Sequence, residues 1–354
     1  MNTQLQETYK EIFAHIDAAE HVMLTMHRKP DGDCAGSSLA VSHYLDQIKK
    51  PHTAFCVDEL GSSLKFLPGQ EKVTSDPEHW HPEKAKFDLL IVFDSGDLRH
   101  NGIADYVDKL THDFKIINID HHATNEGYGH VNLVIDNASS TCEIVHDLLD
   151  SINALNKNIA TCLMTGLITD TGNFTNLATT ASAINTAAKL QLHGANLKQI
   201  SERTMQNRKY TTLKLWGRAL ERLTPNKAGI AVAMITRDDI LECEADLEAV
   251  EGVSNFLNSL DQQTDAKAVL VLTELDPGQI KGSLRTTHPL MDVAKIATLL
   301  GGGGHKKAAG FSIDGHIVER NGQYLIEPIK DTSTWEHTKT LQALLEGTIP
   351  SATT

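Results

Sequence analysis

Four stretches of this chain run apolar and then stop on aspartate or histidine. "HVMLTMH" ends on His27 and leads into "RKPDGD", which adds Asp31 and Asp33. "LLIVFD" ends on Asp94, "IINID" ends on Asp120 with His121 and His122 next, and "GLITD" ends on Asp170. Short apolar runs that alternate with helix-like segments predict a parallel sheet covered by helices, an α/β fold. The carboxyl ends of such strands form the ligand-binding edge of the sheet. One aspartate there is an ordinary helix cap. Several gathered together repel one another unless a cation lies between them. His27, Asp31, Asp33, Asp94, His121 and Asp170 are donors that Mn²⁺ accepts. Zinc is disfavoured because no thiolate is expected close by, and Mg²⁺ alone would not need imidazoles.

Composition narrows the ligand. The chain has 354 residues, 46 acidic against 32 basic, with net charge −14. Proteins that grip long nucleic acid present a basic surface, so any nucleotide ligand should be short. The five cysteines form no C-x-x-C pair, which fits a reducing cytoplasm and not a disulfide framework. The first residues are amphipathic and charged, unlike a signal peptide. No apolar run approaches the ~20 residues that cross a bilayer, so no membrane partner is expected.

The α/β pattern predicts two domains. Residues 1–185 carry the strand ends described above. Residues 186–225 read as a helical connector, 226–345 as a smaller α/β domain, and 346–354 as a flexible tail. "SSTCE" predicts a helix start with a capping box between Ser140 and Glu143. "IADYVDKL" predicts a short helix, and "NIATCLMTGLITDTGNF" one that ends near Asp170. In the second domain "GSLR" closes a strand on Arg285, and "LLGGGGHKKAAG" follows a helix. Glycines let a backbone come close to a ligand and expose N–H groups to anions. Gly302, Gly303, Gly304, His305 and Arg285 therefore read as an anion-binding group, with Arg285 offering a planar fork to phosphate.

"HRKPDGDCAGS", "FDSGD", "DHH" and "LITDTGNF" resemble, in order, the motifs of the DHH phosphoesterase superfamily. "GSLR" and "GGGGHKKAAGF" resemble its DHHA1 domain. The resemblance spans roughly residues 15 to 315 and is closest in kind to stand-alone bacterial nanoRNase / pAp phosphatases and dinucleotide phosphodiesterases. It implies an N-terminal parallel-sheet DHH domain, a C-terminal DHHA1 domain and two Mn²⁺ ions, with Mg²⁺ or Co²⁺ as substitutes. By similarity one ion belongs to His27, Asp31 and Asp94, and the other to Asp33, Asp94, His121 and Asp170. Asp31 and Asp33 are expected to point the same way from an extended turn. Two metals ~3.5–4 Å apart can share a hydroxide that attacks phosphorus. Asp120 is expected to fix the tautomer of His121, and His122 to reach the scissile phosphate.

The implied activity is hydrolysis of short oligoribonucleotides, linear or cyclic dinucleotides, or pAp, with the far end of the substrate held in the cleft between the domains. Homodimerisation is left open. Two alternatives are an inorganic pyrophosphatase of the DHH class and a non-catalytic nucleotide sensor. The glycine run weighs against the first, and the filled ligand positions against the second. Cys34 reads as a small buried side chain, and Asp97 and Arg99 as loop ion-pair partners.

Overall fold

Strand formation in the first half follows the apolar runs. A computed structural model describes residues 3–176, 178–206, 209–257, 266–320, 322–329 and 332–346. The first compact unit is Met1–Asn207. Its strands are β1 (Val22–Met26), β2 (His52–Cys56), β3 (Val73–Thr74), β4 (Leu89–Phe93), β5 (Lys115–Asp120) and β6 (Val131–Val134). They form one parallel sheet in the order β3-β2-β1-β4-β5-β6. Every residue of β1 and β4 is buried, as central strands covered on both faces require. The strand order reverses between these two, which opens a crevice beyond their carboxyl ends.

Its helices are α1 (Thr3–Ala18), α2 (Gly32–Gln47), α3 (Leu98–Asn101), α4 (Ala104–Val107), α5 (Thr141–Asp150), α6 (Lys157–Asp170), α7 (Ala181–Leu192) and α8 (Leu197–Ser201). One face of the sheet packs with α1, α2, α5 and α6 into a core that includes Ile12, Leu39, Ile91, Ile144 and Leu163. The other packs Phe55, Trp80, Phe87 and Val92 beside Leu98 and Tyr106. "IADYVDKL" forms a single turn, α4.

Glycines set how closely α2 and α6 approach. A Cβ on Gly32 would meet the Thr169 side chain, one on Gly36 the carbonyl of Cys162, and one on Gly166 Cys142 Sγ and, at 2.7 Å, Asp33 Cα. This seam brings the end of α6 beside the start of α2. At α5, Ser140 Oγ accepts the Glu143 N–H at 3.1 Å. The Glu143 carboxylate turns instead to the N–H and hydroxyl of Ser139, so the expected reciprocal box is displaced by one residue.

The second compact unit, Arg208–Thr354, contains α9 (Tyr210–Glu221), β7 (Thr224–Pro225), β8 (Ile230–Ile235), α10 (Arg237–Glu242), α11 (Leu247–Leu257), β9 (Ala268–Asp276), β10 (Gln279–Arg285), α12 (Val293–Leu299), β11 (Gly303–His305), β12 (Ala308–Arg320), β13 (Gln323–Pro328) and α13 (Trp335–Leu345). The sheet runs β11-β12-β10-β9-β8-β7, with β13 on the far half of β12. In this second sheet only the β8–β9 pairing is parallel among the described strands.

The helical stretch expected as a connector divides between the units. Ala183, Leu190 and Ile200 join the first core, whereas Leu215, Trp216 and Ala219 of α9 join a core of the second. The tail expected at 346–354 lies, past Glu346, outside the described residues. No helix among the described residues is long and apolar enough to cross a membrane.

Candidate metal centre and phosphate-binding face

Each apolar run delivers its terminal polar residue to the crevice between β1 and β4. His27 follows β1 and Asp94 follows β4, both buried. Asp94 adopts φ +54, a left-handed conformation that aspartate tolerates better than most residues. Asp94 Oδ2 lies 3.6 Å from His27 Nε2, and Oδ1 lies 3.5 Å from His121 Nε2. His27 Nε2 is also 3.8 Å from Asp31 Oδ1. His121 Nε2 is 4.0 Å from Asp33 Oδ2 and 3.4 Å from Asp170 Oδ2. These separations exceed hydrogen-bond length and suit donors sharing a cation. One group thus forms about His27 and another about His121, and Asp94 faces both.

Asp31 and Asp33 do not leave an extended turn. Asp31 is the N-cap of α2, and its Oδ1 accepts the Asp33 and Cys34 amides, both at 3.0 Å. Asp33 stands in the first helical turn, because a D-G-D sequence with an aspartate cap starts a helix there. The wholly buried Asp33 carboxylate accepts the Thr141 amide at 2.6 Å and the Cys142 amide at 2.8 Å, where the α5 dipole favours negative charge. Thr141 Oγ1 donates to Asp94 Oδ1 at 3.0 Å. Asp170 is the last residue of α6, where the helix was expected to end.

The electrostatics test whether a cation fits. Burial, then the charges of Asp94 and Asp31, pushes the Asp33 carboxyl well above its ordinary range. Burial, then Asp33, Asp31 and Asp94, does the same to Asp170. Burial opposes a charged His27, but Asp31 and Asp94 outweigh it and raise the imidazole. Four carboxylates and two imidazoles crowded this closely are a donor set that positive charge would relieve. The residues fit divalent metal.

Asp120 pairs with the other histidine. Its Oδ1 accepts the His121 amide at 2.8 Å and lies 2.7 Å from His122 Nδ1, so it orients His122 and not His121. The chain turns sharply after β5 and folds the second imidazole back over the strand end. The Asp120 hydrogen bond raises His122. Burial opposes a charged Asp120, but His122 and Asn125 hold it below its usual range. Cys34 is the small buried side chain expected. Its sulfur lies with donor atoms of His27 and Asp94, all within 4.8 Å of one another. Burial pushes this thiol up to about 12, so it is held as S–H. Asp97 is the cap of α3, accepting the Arg99 and His100 amides at 2.7 Å, instead of pairing with Arg99 through side chains.

In the second unit Arg285 of β10 and His305 of β11 both pair in register with Ala308 of β12. The three side chains therefore share one face in a row, with the small Ala308 between the two cationic-type groups. The next row holds Ser283, Gly310 and Gly303. Opposite, Leu284, Ala309 and Phe311 enter the core. Arg285 is half-buried, donates to the Leu284 carbonyl at 3.0 Å, and is lowered by burial. The glycine run is not a uniform loop. A Cβ on Gly302 would strike Gly310 O and Phe311, and one on Gly304 (φ +141) would strike Ala308 and Ala309, whereas nothing lies near Gly303. Gly302 and Gly304 are small because β12 is close, which leaves Gly303 open to a ligand.

Two family models match these halves in order: the DHH family, N-terminal domain, over residues 21–167, and the DHHA1 domain over 229–332. The chain belongs to the DHH family. Its relatives include the bifunctional oligoribonuclease and PAP phosphatase NrnA of Thermus thermophilus, 29% identical over 88% of this chain and 90% of that protein. The NrnA of Bacillus subtilis is 25% identical over 86% of this chain and 92% of its own length. The cyclic-di-AMP phosphodiesterase PdeA of Listeria monocytogenes is 25% identical over 89% of this chain and 48% of its own. An exopolyphosphatase-related protein from Bacteroides fragilis shares the fold, with TM-score 0.79 over 96% of this chain and 98% of that one, at 23% identity.

Several residues of the DHH domain escape sequence reading. Thr141 and Cys142 look like an ordinary helix start. Asn125 donates to Asp120 Oδ2 at 2.6 Å and to the Ser95 carbonyl at 3.2 Å, and Tyr128 also donates to that carbonyl. His100 packs its ring 5.3 Å from that of His27. None has a periodicity to mark it.

Proposed function

We propose that this DHH–DHHA1 chain is a dinuclear, Mn²⁺-dependent phosphoesterase that hydrolyses short oligoribonucleotides, linear or cyclic dinucleotides, or pAp. The observation that carries the reading is Asp94, whose two carboxylate oxygens face separate histidine-anchored donor groups at 3.6 and 3.5 Å. His27, Asp31 and Asp94 would hold one ion, and Asp33, Asp94, His121 and Asp170 the other. A bound pair supplies Lewis acidity: it neutralises the carboxylates, polarises the phosphate and acidifies water.

The chain's own residues do the rest. Asp120 fixes His122 with Nδ1–H inward, which leaves Nε2 to meet the phosphate or the leaving oxygen. Amides at the start of α5 hold Asp33 in place, so one ligand is fixed before any ion arrives. Arg285 and His305, in one row of the DHHA1 sheet and near the open Gly303, bind a second phosphate of the substrate. The net charge of −14 supports a short substrate over a long one. Five buried, free cysteines support a reducing, cytoplasmic setting.

The test compares kcat/KM for pAp, pApA, a five-nucleotide RNA, cyclic di-AMP and pyrophosphate with Mn²⁺. The nucleotides should be turned over and pyrophosphate should not. Asp94→Ala should lose metal and more than about 10²–10³-fold in rate, since one stabilising donor alone contributes that much. Pyrophosphate as the best substrate, or a wild-type rate in metal-depleted Asp94→Ala, would overturn the reading.

A further inference from the structure

We propose that His100 reads the ribose hydroxyl beside the scissile phosphate and makes the enzyme select ribonucleotides over deoxyribonucleotides. The inference rests on the phosphoesterase reading above and adds to it a specificity residue.

His100 is exposed, yet its ring is held on two sides. One face packs against His27, with centroids 5.3 Å apart and planes tilted by 32°. Its Nδ1 lies 3.3 Å from Ser95 Oγ. The Ser95 hydroxyl donates to the Asp97 carbonyl at 2.9 Å, so its single hydrogen is committed and Oγ receives from His100. That assigns the imidazole proton to Nδ1 and leaves Nε2 with a lone pair.

The support beneath it is rigid. Ser95 is wholly buried, and its carbonyl accepts from Asn125 and Tyr128. Asp97 Oδ1 pins the His100 amide at 2.7 Å. An exposed histidine usually samples several rotamers. This one is fixed before any ligand arrives, as a recognition group should be.

The chemistry of the ligand decides what a lone pair can recognise there. A phosphodiester offers only acceptors, which an acceptor nitrogen repels. The donors of a short nucleotide are its hydroxyls and base amino groups, and only the ribose hydroxyls adjoin the phosphorus. His100 packs on a histidine of the metal centre, so the donor it meets is the one nearest the reacting phosphate. The metal-type donor groups found among the described residues do not include His100.

The experiment measures kcat/KM for pApA and for its deoxy counterpart with wild type, His100→Ala and His100→Gln. The wild type should favour pApA by about tenfold, the discrimination of one hydrogen bond. In His100→Ala the ratio should collapse towards one, chiefly through the ribonucleotide. His100→Gln supplies a carbonyl acceptor and should restore part of the ratio. A wild type that does not distinguish the two substrates overturns the proposal. So does an alanine variant that slows both equally, which would place His100 on the phosphate or the metal. Hydrolysis of neither substrate overturns the proposal, and turnover of pAp or cyclic di-AMP in the panel above would then leave the phosphoesterase reading standing.

Discussion

Asp120 Oδ1 lies 2.7 Å from His122 Nδ1, so the aspartate that ends β5 orients the second of the two histidines after it. Asp120→Asn keeps the shape but can present an N–H where the imidazole proton must be accepted. The variant should bind metal normally and lose about 10–100-fold in rate, as lost orienting partners of a metal site usually cost. Metal content by mass spectrometry, read beside kcat, checks this; a missing equivalent of metal would mean that Asp120 supports a ligand instead.

Gly166→Ala should disturb the metal centre without replacing any ligand. The added methyl would stand 2.7 Å from Asp33 Cα and would strike Cys142 Sγ. Overpacking of this kind costs about 1–3 kcal/mol, and here the strain falls on a ligand backbone. Weaker Mn²⁺ binding by titration, together with a lower melting temperature, is expected. Unchanged affinity would show that Asp33 moves freely with its helix.

Arg285→Ala should reduce kcat/KM for pApA by about ten- to a hundredfold, the equivalent of a charge-assisted contact worth ~1.5–3 kcal/mol. Bis-p-nitrophenyl phosphate has no second phosphate and should respond far less. Equal losses on the two esters would assign Arg285 to the support of the sheet.

Acid should loosen the DHHA1 domain as pH falls through the ordinary carboxylate range and below it. Arg222 and Asp239 form a buried pair, with side chains 11% and 4% exposed. Burial opposes a charged Asp239, but Arg222 and Thr236 outweigh it and lower its pKa. A lowered native pKa contributes stability that is present above the unfolded value and is lost as pH falls through the native one. Asp239→Asn should remove the dependence and cost about 3 kcal/mol, the low end for a broken buried pair, because Arg222 keeps the Met234 carbonyl and the Tyr324 ring. Urea unfolding of the full chain from pH 7 down to pH 3 compares the two proteins.

The strands and their polar ends were legible because a buried parallel strand must be a continuous apolar run, and the first polar residue after it marks the sheet edge. Asp170 was legible as a donor and as a helix end, but its place beside α2 was not, since that depends on the bare surfaces of Gly32, Gly36 and Gly166. The partner of Asp120 was misread because a backbone turn, not residue spacing, decides which ring folds back. Gly302 and Gly304 also have no room for a side chain against β12, a neighbour that no local pattern announces. Thr141 and Cys142 hold an aspartate more than a hundred residues earlier in the chain, and helix-start chemistry alone does not say which anion is held.

All six metal-type donors, from His27 to Asp170, fall within the unit Met1–Asn207, whereas Arg285 and His305 belong to Arg208–Thr354. If Arg285 and His305 grip phosphate as proposed, the metal chemistry and that grip are inherited as separate parcels. A lineage can exchange or reshape the second parcel and acquire a new diet while its reaction is left untouched. Drift in the first parcel has less freedom, since its six donors come from four stretches of chain that must all stay in place.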